Sequence, residues 1–155
     1  MSAMSDTRIE APTADAMEAL GRALAAQLRA GDVVTLEGGL GAGKTTFARG
    51  VLRGLGLAGD APSPTYAILQ GYASPETRLP LGHVDLYRIE AAAELEELGL
   101  DEWLASGALI IEWPDRLGAL YADLALAIEI VVADDGNRLL TARLPKSWEG
   151  RWPPR

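Results

Sequence analysis

The 155-residue chain contains no cysteine, one histidine, one phenylalanine and only two lysines among its fourteen basic residues. Without cysteine there is no disulfide framework and no thiolate metal site. One imidazole is too few for a histidine-built metal site, so packing or hydrogen bonding is the expected role of His83. No apolar run approaches the roughly 18 residues of a membrane span. Met1 to Asp6 lack the basic flank and apolar core of a signal peptide. A cytoplasmic location without membrane association is therefore the default expectation. Positive charge is also short: the formal net charge is −8. Affinity for a nucleic-acid backbone comes largely from Lys and Arg, so the chain alone is a poor candidate for gripping RNA or DNA.

What is present reads as one globular domain. Hydrophobic residues make up 48% of the chain, and this length suffices to bury roughly 70% of the unfolded surface. The acidic excess clusters in Glu90, Glu94, Glu96, Glu97, Asp101 and Glu102. That is a solvated helix face or, on a sharper reading, a docking surface for a basic partner.

One of the two lysines stands in Gly38-Gly39-Leu40-Gly41-Ala42-Gly43-Lys44-Thr45-Thr46, which satisfies G-x-x-x-x-G-K-[ST]. Glycines there let the backbone wrap so that successive N–H groups point at a phosphate, and the following helix adds its positive end. The nucleotide-binding candidates are Gly38, Gly41, Ala42, Gly43, Lys44, Thr45 and Thr46. Lys44 would reach the β- and γ-phosphates of ATP, and the Thr45 hydroxyl would ligate Mg²⁺. The motif requires a preceding strand and a following helix. Asp32 to Leu36 is a short β-branched, apolar run, and Phe47, Val51, Leu52 and Leu55 recur at helical spacing.

Thr13 caps an expected helix from Ala14 to Ala30, with Met17, Leu20, Leu24 and Leu28 as its apolar stripe. Ala67 to Tyr72 and Leu81 to Asp85 read as strands of a hairpin around Ser74-Pro75-Glu76, and Ala91 to Leu98 as a short acidic helix. Ala108 to Ile111 is a buried strand ending in Glu112. Leu124 to Val132 and Leu139 to Leu144 form a strand pair turned at Asp134 to Asn137. The expected fold is α/β: a single P-loop NTPase-like domain over residues 1–145. It has a mostly parallel central sheet flanked by helices and an antiparallel strand pair at the C-terminal end. Residues 146–155 lack periodicity and are expected to form a loosely ordered tail, its tryptophans covering an apolar patch on the domain or on a partner.

A phosphate-binding loop needs a carboxylate near the metal, usually at the end of a neighbouring strand. Glu112 and Asp85 both end apolar strands, at the sheet edge where ligands bind in open α/β sheets. Either would hold a metal-bound water or orient the attacking water. The plainer alternative is that each caps the next element or pairs with Arg88 or Arg116. Ser63 and Thr65 lie in a proline-stiffened loop that is either a simple turn or a switch sensing the γ-phosphate. Trp113 either stacks on a base or a partner, or packs in the core.

These segments in this order resemble the TsaE (YjeE) family of small P-loop ATPases. The resemblance rests on the glycine loop, Ser63-Pro64-Thr65-Tyr66, His83-Val84-Asp85-Leu86-Tyr87-Arg88, Glu94-Leu95-Glu96 with Gly99-Leu100, and Ile111-Glu112-Trp113-Pro114. It covers the chain from about Gly31 to Arg116. It implies an Mg²⁺-dependent ATPase of threonylcarbamoyladenosine formation in tRNA, weak without its partners. Those are TsaD and TsaB type proteins, the former transferring the group, so that tRNA is met only through the complex. By position, the resemblance implies Thr45 on Mg²⁺, Glu112 as a second carboxylate-side contact to the metal, and Asp85 and Trp113 in support of hydrolysis or nucleotide-dependent docking. The expected catalytic residues are therefore Lys44, Asp85 and Glu112, and the switch or partner-docking candidates are Ser63, Thr65 and Trp113. One departure is Gly39, where the family usually carries an acidic residue. The competing functions are a small-molecule or nucleoside kinase, although no segment clusters the arginines of a lid, and a nucleotide-gated interaction module.

Overall fold

The computed structural model describes residues 5–39, 41–59 and 68–154. Seven strands form one sheet: β1 (Ser5–Ala11), β2 (Val33–Glu37), β3 (Leu69–Tyr72), β4 (Leu81–Asp85), β5 (Ala108–Glu112), β6 (Leu126–Val132) and β7 (Arg138–Leu144). Their order across the sheet is β1-β7-β6-β2-β5-β4-β3. The four central strands β6, β2, β5 and β4 are mutually parallel, while β7 and β1 extend one side and β3 the other in antiparallel pairing. This is the expected α/β architecture with its C-terminal antiparallel pair. The first strand, β1, was not expected; it pairs with β7 from Ser5↔Leu144 to Ala11↔Arg138.

The helices are α1 (Ala14–Ala25), α2 (Lys44–Gly54), α3 (Ala92–Glu97) and α4 (Leu100–Ser106). Thr13 caps α1 by accepting a hydrogen bond from the Ala16 amide at 3.0 Å. The helix stops at Ala25, short of the Ala30 expected from its stripe. Beyond it, the Gln27 carbonyl accepts from Arg151 and the Arg29 amide donates to Asp32, so these backbone groups have left the helical ladder. α1 and α2 lie almost in backbone contact: a Cβ at Gly21 would stand 2.2 Å from the Phe47 carbonyl, and one at Gly50 2.2 Å from the Glu18 carbonyl. The acidic segment ends at Gly99, whose left-handed φ of 67° starts the second short helix, α4.

Alternation along the parallel strands sorts side chains onto two faces. Val34, Leu36, Leu81, Ile110 and Ile128 join Phe47, Val51 and Leu52 of α2 in one core, while Val33, Val84, Leu109 and Ile111 pack with Leu100 of α4 in the other. The tail is a correction. Residues 146–154 do not hang loosely: Lys146–Trp148 is a 3-10 turn, and Trp148 and Trp152 are buried in the first core. The physical reason is a buried ion pair, Arg151 Nη1 to Asp32 Oδ2 at 2.7 Å and Nη2 to Oδ1 at 3.0 Å, which fastens the tail to the residue before β2.

Candidate functional site

The parallel strands β2, β4 and β5 all end on one edge of the sheet, and the candidate residues follow from that placement. β2 runs into the glycine loop, which opens α2 at Lys44. Gly43, immediately before the helix, has a φ of 113°, which a side chain would resist. At Gly38 a Cβ would stand 2.7 Å from the Ile130 carbonyl on β6, so the loop lies close against its neighbouring strand. A Cβ at Gly39 meets nothing within 4 Å. The loop therefore has room for the acidic side chain that this sequence lacks there.

Lys44 is buried, and its ammonium donates to the Gly38 carbonyl at 2.7 Å, closing the loop on itself. The same Nζ lies 4.0 Å from the centroid of the Trp113 ring, a cation–π contact. Trp113 holds an unusual backbone, φ 60° and ψ 58°, between the end of β5 and Pro114. Its ring meets Tyr87 at a centroid separation of 4.9 Å, and Tyr87 is exposed. A chain of contacts thus runs from the loop lysine to the surface.

Glu112 and Asp85 are register partners on β5 and β4, on the face that carries the loop and α2. Glu112 is buried, and its Oε2 is 2.6 Å from Nε2 of His83. His83 hydrogen-bonds as expected, and the pair fixes one oxygen of Glu112. Asp85 accepts the Tyr87 amide through Oδ1 at 2.9 Å, so it caps the turn after its strand. Neither carboxylate pairs with Arg88 or Arg116 among the described residues. Thr45 and Thr46 are half-buried in the first turn of α2. Ser63 and Thr65 lie outside the described residues.

Beside the loop is a cleft of about 480 Å³, lined on one side by Glu37, Gly38, Gly39 and Ala42 and on the other by Trp113 and Asp115. Glu37 ends β2 there. Partial desolvation, with the Asp115 and Glu129 carboxylates nearby, raises its carboxyl above the ordinary range, and Lys44 opposes the shift. No group of three or more His, Asp or Glu residues among those described forms a metal cage. Mg²⁺ does not need one, because it is commonly bound through one or two protein ligands plus substrate phosphates. Hydroxyl and carboxylate oxygens at Thr45 and Glu112 suit that hard cation.

Sequence reading missed one residue at this site. Arg138, on β7, donates through Nε to the Ala42 carbonyl at 2.9 Å and through Nη2 to the Gly41 carbonyl at 3.3 Å. No local pattern announces a contact across 96 positions.

Sheet order, glycine loop and strand-end carboxylates define a single-domain α/β protein of the P-loop NTPase-like class. Residues 11–140 match the family model described as threonylcarbamoyl adenosine biosynthesis protein TsaE. The chain belongs to the TsaE family, whose proteins act in tRNA threonylcarbamoyladenosine biosynthesis. It is 43% identical over 126 residues to the tRNA threonylcarbamoyladenosine biosynthesis protein TsaE of Streptomyces coelicolor, covering 79% of this chain and 85% of that one. It is 42% identical to the Bacillus subtilis protein of the same name over 80% of this chain and 77% of that one. The crystal structure of Bacillus subtilis YdiB superposes with a TM-score of 0.76 at 32% identity, covering 90% of this chain and 86% of that chain. No helix among the described residues is long and apolar enough to cross a membrane.

Proposed function

We propose that this chain is the ATP-binding and ATP-hydrolysing component of the assembly that forms threonylcarbamoyladenosine in tRNA. It works in the cytoplasm with TsaD and TsaB type partners, which transfer the threonylcarbamoyl group to the adenosine beside the anticodon. The observation that carries this reading is the loop cradle with Lys44 inside it, set next to a Glu112 held by His83 at the same sheet edge. An incoming phosphate would offer the Lys44 ammonium an anionic oxygen in place of the neutral Gly38 carbonyl, which is the stronger bond. Loop amides and the start of α2 add donors to the same anion. Thr45 and Glu112 would hold Mg²⁺, which when bound neutralises charge on the phosphates.

Hydrolysis forms a bond from the water oxygen to the γ-phosphorus and breaks the bond to the bridging oxygen, leaving ADP and phosphate. A carboxylate must orient that water. Each carboxylate has one oxygen engaged, and Glu112 suits the task better than Asp85 because it is buried and oriented by a buried His83, whereas Asp85 is only half-buried and caps a turn. Trp113 links the nucleotide to the surface: its ring touches Lys44 on one side and exposed Tyr87 on the other. A ligand that moves Lys44 therefore changes what a partner meets.

The test is phosphate release from ATP by the purified chain, with and without a TsaB–TsaD pair. Strong stimulation by the pair is expected. Turnover that needs an added nucleoside or sugar and ignores the pair would replace this function with a kinase. Lys44→Ala should abolish ATP binding, whereas Glu112→Ala should keep binding and lose hydrolysis. Unchanged hydrolysis in the Glu112 variant removes that residue from the chemistry.

A further inference from the structure

We propose that Arg138 is a positioning residue for the phosphate-binding loop, one that turns the Gly43 amide toward the bound anion. This rests on the ATP-binding reading above. Among the described residues the guanidinium makes three hydrogen bonds, all to carbonyls: Ala42 through Nε at 2.9 Å, Gly41 through Nη2 at 3.3 Å and Gly136 through Nη1 at 3.4 Å. It forms no ion pair among the described residues. Its stem passes over the loop, so that a Cβ at Gly43 would stand 3.4 Å from Arg138 Cδ. A planar fork donating to two successive loop carbonyls is a geometry that arginine can make and lysine cannot.

The consequence follows from the peptide plane. In a trans peptide the carbonyl and the next residue's N–H point in opposite directions. Holding the Ala42 carbonyl against Arg138 therefore aims the Gly43 N–H at the other side of the loop. Holding the Gly41 carbonyl does the same for the Ala42 N–H, which reaches back across the loop to the Gly39 carbonyl at 3.2 Å. The residues concerned are the ones least able to hold themselves: Gly41 and Gly43 both sit at positive φ, 76° and 113°, where glycine moves freely. A flipped peptide would present a carbonyl oxygen to the phosphate. Arg138 disfavours the flip, and its charge polarises the amides on the far side of each peptide.

Such a residue contributes binding that ground state and transition state share, so its loss raises KM and Kd rather than lowering kcat. Arg138→Met keeps the stem and removes the donors; Arg138→Lys keeps the charge without the fork. We expect Kd for both ATP and ADP to rise about tenfold or more in the Met variant and less in the Lys variant, with kcat falling far less than KM rises. The Ala42 amide, which donates to the Gly39 carbonyl at 3.2 Å, should exchange with solvent faster in the nucleotide-free Met variant, because the strap that holds its peptide is gone. An affinity unchanged in both variants, or a fall in kcat with KM unaltered, would overturn the proposal. If the Met variant fails to fold, the Lys variant carries the same readings. If the parent chain binds no ATP, the ATP-binding reading fails; Ala42 exchange then still decides, faster exchange in the Met variant supporting the strap and unchanged exchange overturning it.

Discussion

Adjacent glycines in the loop answer to different constraints. At Gly38 an added Cβ would meet the Ile130 carbonyl at 2.7 Å and the Ala42 Cβ at 3.2 Å; at Gly39 it would meet nothing within 4 Å. Gly38→Ala must therefore shift the loop or β6, at a cost of about 1–3 kcal/mol, and should weaken ATP binding as well. Gly39→Ala should change stability by less than about 1 kcal/mol, in the stabilising direction because it restricts the unfolded chain. Its ATP affinity should match the parent's. Urea unfolding and nucleotide titration of the two variants check this, and equal losses at both positions would show that the Ile130 contact is not what matters. The sequence marks both positions alike as glycine. Only the approach of β6, ninety residues further along the chain, separates them, and local pattern carries no trace of it.

At the scale of elements, what could be read from the sequence was what short-range periodicity and turn chemistry decide. β2, β4 and β5 were expected within a residue of where they lie, because each is a short apolar run bounded by charge or turn residues. The same holds for the strand-end carboxylates Asp85 and Glu112. What could not be read depends on distant partners. β1 is an edge strand of mixed polarity that earns its conformation from pairing with β7. α4 is only seven residues long and is held by Leu100 in the core and by Trp103, whose ring lies over Gly71 and Gly82. The tail looked structureless because its anchor, Asp32, is 119 positions away. That anchor is well satisfied: Arg151 also donates to the Gln27 and Ser147 carbonyls, and its guanidinium carbon lies 3.9 Å from the Trp148 ring centroid. Removing one partner of a buried pair leaves the other charge buried and unpaired, which costs about 3–5 kcal/mol. Arg151→Met should therefore lower stability by about that much in urea unfolding. Asp32→Asn should do likewise, and the double variant should lose less than the sum of the two, since the sites are in contact. A loss below about 1 kcal/mol in both single variants, the range of a surface pair, would mean that the tail is not fastened by this pair.

For the molecule as a whole, the decisive property is where its charge sits. The formal net charge is −8, and Glu90, Glu94, Glu96, Glu97, Asp101 and Glu102 are all exposed along α3, α4 and the turn before them. They follow directly on Tyr87, which is 57% exposed and touches Trp113, so the acidic face adjoins the contact chain leading to Lys44. A solvated face explains the exposure without a partner. A docking face adds a consequence, because complementary charge mainly speeds association and is screened by salt. Raising ionic strength shortens the screening length from about 10 Å at 0.1 M to about 3 Å at 1 M. If α3 meets a basic surface on the TsaB–TsaD pair, the association rate should fall steeply over that range. Glu94→Lys combined with Glu97→Lys should slow it further at low salt while leaving ATP affinity of the isolated chain unchanged. Surface-plasmon association rates across a salt series would measure both effects. A rate indifferent to salt and to charge reversal would leave these carboxylates with solubility alone.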